Sequence, residues 1–129
     1  MNLDELLATM PFAVASGVEL TAAEATECRG RLAWAPERTT LGGAVHGGAL
    51  MTLADSVGAV CAFLNLPPGA GTATLSSATN LLRGLREGYA EAVSRPLHVG
   101  RSTIVVVTEV RDAAGRLISS TTQTQAVLS

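Results

Sequence analysis

The sequence predicts an α+β protein in which one long apolar helix lies against a mostly antiparallel sheet of about five strands. Three observations lead there. Leu50, Leu53, Ala54, Val57, Cys61 and Leu64 recur at helical spacing through an apolar run. Beyond it, from about residue 73, apolar and β-branched residues gather into four segments separated by Gly- or Asp-bearing turns. No linker, repeat or low-complexity tract interrupts residues 1–129, so a single domain is expected.

The elements follow in order. Leu3, Leu6 and Leu7 with Asp4 and Glu5 suggest a short amphipathic helix within residues 1–11, ending at Pro11 and lying on the sheet or on a partner subunit as a lid. Val18, Leu20, Ala22, Cys28, Gly30, Leu32 and Trp34 alternate loosely with Glu and Arg, giving one long strand or a hairpin that Pro36 ends. A glycine-rich loop then leads into the central helix. Met51, Ala59, Ala62 and Phe63 make its other face apolar as well, which reads as a helix covered on all sides, and Asn65-Leu66-Pro67-Pro68-Gly69 stops it. Strands are expected near residues 73–82, 88–99, 102–111 and 116–128. Asp112 to Gly115 is hairpin-turn chemistry between the last two. Ile104 to Val107 is apolar on both phases and should be a central strand covered on both sides, whereas Thr121 to Gln125 suits a wet face or a cavity.

The chemistry concentrates at the loop and helix. Between Thr39 and Leu66 the only charged residue apart from His46 is Asp55. Gly42, Gly43, Gly47 and Gly48 surround His46 and leave amide N–H groups unshielded where a helix begins, so they can bind an anion or a developing oxyanion. A carboxylate in such apolar company must be paired or hydrated. Placed near oxyanion donors, it gives a hydrolytic layout. His46 is a competing base, but a serine mechanism would need a nucleophile on a strained elbow. No Gly-x-Ser-x-Gly string occurs, and Ser56 points in a different helical direction from Asp55.

The string Gly43-Ala44-Val45-His46-Gly47-Gly48, followed by Leu53-Ala54-Asp55-Ser56, resembles the signature of the hotdog-fold thioesterases, specifically the phenylacetic-acid-pathway type. Thr74 to Arg83 and Gly100-Arg101 with its valine-rich sequel resemble the family's next strands, so the likeness covers roughly residues 35 to 127. It implies hydrolysis of an acyl thioester of coenzyme A, with no cofactor beyond the coenzyme A of the substrate and no metal. The Gly47 N–H would polarise the thioester carbonyl. Asp55, contributed by the opposite subunit of a dimer, would be the nucleophile or the base that activates water. His46 would shape the loop near the substrate, with Gly48 beside it. Relatives often carry Asn where Thr40 stands. Thr74 and Ser76, read as sharing a strand face, would either reach the site or be ordinary strand residues. His98 and Arg101, flanking Gly100, lie where the family places basic groups near the coenzyme A phosphates, and Arg83 and Arg86 are further rim cations.

Composition narrows the alternatives. The net charge is -2, all nine basic residues are arginine, and no basic stripe with interleaved aromatics appears, so a nucleic-acid partner finds no support. No signal-peptide pattern and no membrane-length apolar run is present, so a cytoplasmic location without membrane association is expected. Cys28 and Cys61 read as buried thiols rather than a disulfide or zinc site. A chain 47% hydrophobic and 16% charged is more apolar than a monomer needs, which points to oligomerisation; the family resemblance implies a homodimer or homotetramer with active sites at the subunit interface. A non-catalytic acyl-CoA binder and a hotdog 3-hydroxyacyl thioester dehydratase remain as alternatives; retention of Asp55 disfavours the first, and the spacing of the two signature elements disfavours the second.

Overall fold

The computed structural model describes residues 1–129 and opens with two short helices where the sequence predicts one: α1 (Leu3–Ala8) and α2 (Pro11–Ser16). Pro11 starts the second helix instead of ending the first, because a proline at the first helical position lacks only an N–H that would have had no helical partner. The Asn2 side chain caps α1 by accepting the Glu5 N–H at 2.8 Å, and Gly17, at φ +91°, closes α2.

Residues 18–34 resolve into a hairpin of β1 (Val18–Glu24) and β2 (Glu27–Ala33). After the glycine loop comes α3 (Gly47–Phe63), then β3 (Gly71–Leu81), β4 (Tyr89–Val99), β5 (Thr103–Arg111) and β6 (Leu117–Leu128). The expected four strands after the helix are all present. Together with the hairpin they make a six-stranded sheet, in line with the about five strands expected once residues 18–34 form a hairpin, in the order β1-β2-β4-β5-β6-β3 with every neighbouring pair antiparallel. Helix α3 lies across one face and touches all six strands. One long helix packed on an antiparallel sheet is the hotdog arrangement.

Burial explains the placement. Leu50, Leu53, Ala54, Val57 and Cys61 point from α3 into a core completed by Leu32, Ile104, Val106, Val110 and Ile118. Cys28 on β2 and Cys61 on α3, distant in sequence, meet there as free, fully buried thiols; hydrogen bonding with Cys28 and then burial push the Cys61 thiol up, which keeps it inert. The helix is not covered on all sides, however. Gly48, Met51, Asp55 and Phe63 form an open stripe along it. Nor is β5 covered twice: Ile104, Val106, Thr108 and Val110 are buried beneath α3, while Val105 and Val107 are only half-buried because no second layer packs outside. Ion pairs such as Glu19–Arg31 and Glu27–Arg95, both 2.6 Å, lace the outer face of the β1-β2-β4 half. No helix is long and apolar enough to cross a membrane.

The side of the sheet under α3 is polar in one place. Ser94, Thr108, Thr121 and Thr79 stand opposite one another across β4, β5, β6 and β3, and hydroxyl pairs join Ser94 to Thr108 at 2.6 Å and Thr79 to Thr121 at 2.7 Å. Thus Thr121 to Gln125 lines no simple wet face. One phase of it (Thr121, Gln123, Gln125) is buried under the helix and the other (Thr122, Thr124) faces out.

Gly58 of α3 sits on this polar row. A Cβ there would collide with the Gln123 side chain and crowd Thr108. Alanine at an open helical position normally stabilises relative to glycine. Gly58→Ala is instead expected to lower unfolding stability by about 1–3 kcal/mol through overpacking, measured by urea or thermal denaturation.

Candidate active site

The loop before α3 is built to hold its first turn. Gly42 and Gly43 adopt φ +89° and +85°, backbone that side-chain-bearing residues rarely take, and the turn closes with Thr40 N–H donating to Ala44 O at 2.8 Å. The Trp34 indole N–H donates to Gly43 O at 2.9 Å, and Val45 N–H donates to Leu85 O at 2.9 Å. Arg38 ties the loop to the N-terminal helices. Its guanidinium donates to Ser16 O at 3.1 Å and Ala33 O at 3.0 Å, while its carbonyl accepts the His46 N–H at 2.8 Å.

His46 is the N-cap of α3. Its Nδ1 accepts the Gly48 N–H at 2.8 Å, so the ring proton of the neutral imidazole is on Nε2. The His46 carbonyl takes the Ala49 and Leu50 N–H groups at 2.9 and 3.2 Å. Of the first four amides of the helix, the Gly47 N–H alone has no partner. It carries the positive end of the helix dipole and is available to an incoming oxygen.

Asp55 projects from the open stripe of α3 and is exposed, not buried as its apolar neighbours in sequence suggest. Its Oδ1 accepts from Gln123 Nε2 at 3.2 Å and lies 3.5 Å from Thr74 Oγ1, the outer limit of a hydrogen bond. Beside it opens a cleft of about 370 Å³ lined by Met10 and Phe12 from the N-terminal helices, Met51 and Ser56 from α3, and Ser77 from β3. Apolar walls with one carboxylate and the three hydroxyls of Thr52, Ser56 and Ser77 suit an acyl chain or ring carrying a reactive polar group.

Thr74 therefore meets Asp55, but Ser76 does not share its face. The β3–β6 register shifts between Thr74 and Ser76, so Thr74 pairs with Gln125 and Ser76 with Thr124, on opposite sides of the sheet. The extra residue, Leu75, is a bulge that breaks the alternation and brings Ser77 to the helix side. Thr40 is exposed at the loop tip. His98 and Arg101 flank Gly100 in the exposed β4–β5 hairpin, away from the Asp55 cleft of this chain, whereas Arg83 and Arg86 line a second cleft of about 710 Å³ with Arg116 and Asp112. Sequence reasoning missed Ser77, hidden by the bulge, and Gln123 and Gln125, whose polar alternation was visible. It also missed Arg38.

The cap can be tested on its own. His46→Ala is expected to cost about 1 kcal/mol of stability, and His46→Asn to recover most of it, read by denaturation.

Known proteins place this geometry in context. The chain is 37% identical over 86 residues to the 1,4-dihydroxy-2-naphthoyl-CoA hydrolase of Escherichia coli, a match covering 67% of this chain and 63% of that protein. It is 38% identical over 85 residues to a Vibrio cholerae protein named as a candidate esterase, covering 66% of this chain and 57% of the relative. The chain thus spans about three fifths of the length of these curated relatives. The crystal structure of a mutant thioesterase from Pseudomonas aeruginosa superposes with a TM-score of 0.92 at 27% identity, covering 99% of this chain and 94% of that one. The family model described as Thioesterase superfamily matches residues 42–119, the segment that runs from the glycine loop through α3, β3, β4 and β5 to the start of β6. The chain belongs to the Thioesterase superfamily, with the hotdog fold.

Proposed function

We propose that this protein hydrolyses an acyl-CoA thioester to the free acid and coenzyme A. The observation that carries this reading is the unpartnered Gly47 N–H at the start of the helix that also bears Asp55. In this mechanism the Gly47 amide holds the thioester oxygen as negative charge develops on it. Asp55 then acts in one of two ways. It attacks the carbonyl carbon, expelling the thiolate to leave a mixed anhydride that water cleaves, or it takes a proton from a water that attacks directly. Thiolate is a good leaving group, so no separate acid is required.

One chain cannot supply both groups to one carbonyl. Gly47 and Asp55 are eight residues apart on α3, about 12 Å along its axis. The reacting carbonyl needs donor and carboxylate both within a few ångström, so the amide of one subunit would work with the carboxylate of another. Support for such a pairing comes from the open stripe of α3, from exposed apolar side chains such as Phe12, Met51 and Leu75, and from the unpaired edge of the 11-residue strand β3. We place the acyl group in the Asp55 cleft, in keeping with the motif resemblance to the phenylacetic-acid-pathway type of thioesterase. His46 and Gly48 frame the carbonyl, and Thr40 stands where the family often carries Asn. The cations Arg83, Arg86 and Arg101, with the His98 ring as a hydrogen-bonding group, are available to the phosphates. The E. coli hydrolase acts, by its name, on a hydroxylated aryl-CoA. Ser56 and Ser77 in the cleft favour testing that acyl class here.

The decisive assay is thiol release from acetyl- through palmitoyl-CoA and from phenylacetyl-, benzoyl- and hydroxylated aryl-CoA. Asp55→Ala is expected to abolish release while acyl-CoA still binds; tight binding by the wild type without Asp55-dependent release would replace the hydrolase with a binder. Gly47→Pro removes the free N–H while keeping a residue that the first helical position accepts, and its Cβ meets only the end of the Leu81 side chain. Its rate should fall on the order of a hundredfold. Co-expressing the two variants should restore about one quarter of the wild-type rate, since half of the dimers are then mixed and each mixed dimer keeps one intact site. No recovery would disprove the shared site.

A further inference from the structure

Two amides lie under α3 that the mechanism above does not use. Gln123 is fully buried and Gln125 is 1% exposed, both on the phase of β6 that faces the helix. A primary amide in an interior built of Val, Ile and Leu loses its hydration, so its donors and acceptors need partners. Gln125 has them: its Nε2 donates to Thr74 Oγ1 at 2.8 Å and its Oε1 accepts from Thr72 Oγ1 at 3.1 Å. Gln123 has them at one end only. Its Nε2 donates to Asp55 Oδ1 at 3.2 Å, and its Oε1 is buried without a partner.

Neighbours fix the direction of each bond. Turned over, the Gln123 amide would set its oxygen against a carboxylate, so the NH₂ must face Asp55. The orphaned oxygen then lies against α3 at Gly58, where the missing Cβ leaves it room. Because Thr74 Oγ1 already accepts from Gln125, its own hydrogen is free for Asp55. Both donors reach Oδ1, and Oδ2 takes no hydrogen bond from the chain.

We propose that Gln123 is a positioning residue for Asp55, assisted by Gln125 through Thr74: the buried amides of β6 hold one carboxylate oxygen and leave the other for reaction. An unpartnered buried acceptor is a standing loss of stability, retained because the opposite end of the same amide is needed at the carboxylate. The kinetic consequence rests on the hydrolase reading; the geometric one does not.

Gln123→Leu removes the donor and the orphaned oxygen together at similar volume. Its Tm should match or exceed that of the wild type. In its crystal structure the Asp55 carboxylate should rotate or split between two orientations. With the best thioester substrate, kcat should fall about tenfold to a hundredfold while KM stays within twofold. Gln125→Leu should produce a smaller fall in the same parameter. A lower Tm with unchanged kcat would make Gln123 a packing residue and overturn the proposal, as would a single, unmoved carboxylate in the variant crystal. If the wild type releases no thiol from any thioester, the hydrolase reading falls, and the carboxylate orientation in the crystal still decides the role of Gln123.

Discussion

The packing of α3 across all six strands is the constraint from which the other features follow. Burying Leu50, Leu53, Val57 and Cys61 against the sheet fixes the rotation of the helix about its own axis. That rotation turns Gly48, Met51, Asp55 and Phe63 outward together. It also leaves the first turn at the edge of the core, where His46 can cap it and the Gly47 amide can remain open. A helix with stronger amphipathicity would show this orientation plainly in its sequence. Here the apolar Met51 and Phe63 on the open side disguise it, and the apolar count alone suggests a helix enclosed all round.

Much of the fold was legible because it rests on local patterns. Helical spacing from Leu50 to Leu64, the Pro67-Pro68-Gly69 stop and the Asp112–Gly115 turn each carry their own physical signal, and Gly115 does take a positive φ of 82°. The glycines around His46 marked the site for the same reason. Period-2 counting failed at Leu75, because a single bulged residue reverses every face after it and nothing in Thr74-Leu75-Ser76-Ser77 announces which residue will be left out. Pro11 misled because proline both ends and begins helices, and only the chain after it decides. Arg38 was unreadable for a different reason: its partners, Ser16 and Ala33, are brought to it by tertiary folding.

The interior beneath α3 is a compromise between cohesion and chemistry. A row of hydroxyls from Ser94 to Thr79 and two glutamines occupy ground that branched aliphatics would fill more stably. Most of these groups pair with each other, which confines the desolvation cost to Ser119 Oγ and Gln123 Oε1. Polar side chains in fixed register also specify strand order more narrowly than interchangeable valines do, because a slip of one residue would strand several of them without partners.

Arg38 has a consequence for how this scaffold can change over generations. Its side chain clasps the end of α2, whose first residues Phe12 and Ala13 help wall the Asp55 cleft, and its backbone carbonyl anchors His46, which caps the helix beside the open amide. The wall of the cleft and the open amide thus depend together on one residue. Drift in the N-terminal helices toward a wider or narrower cleft must preserve the last turn of α2, or the cap of α3 shifts with it. The shape of the cleft is free to change through side chains such as Met10 and Phe12 far more readily than through the backbone that carries them.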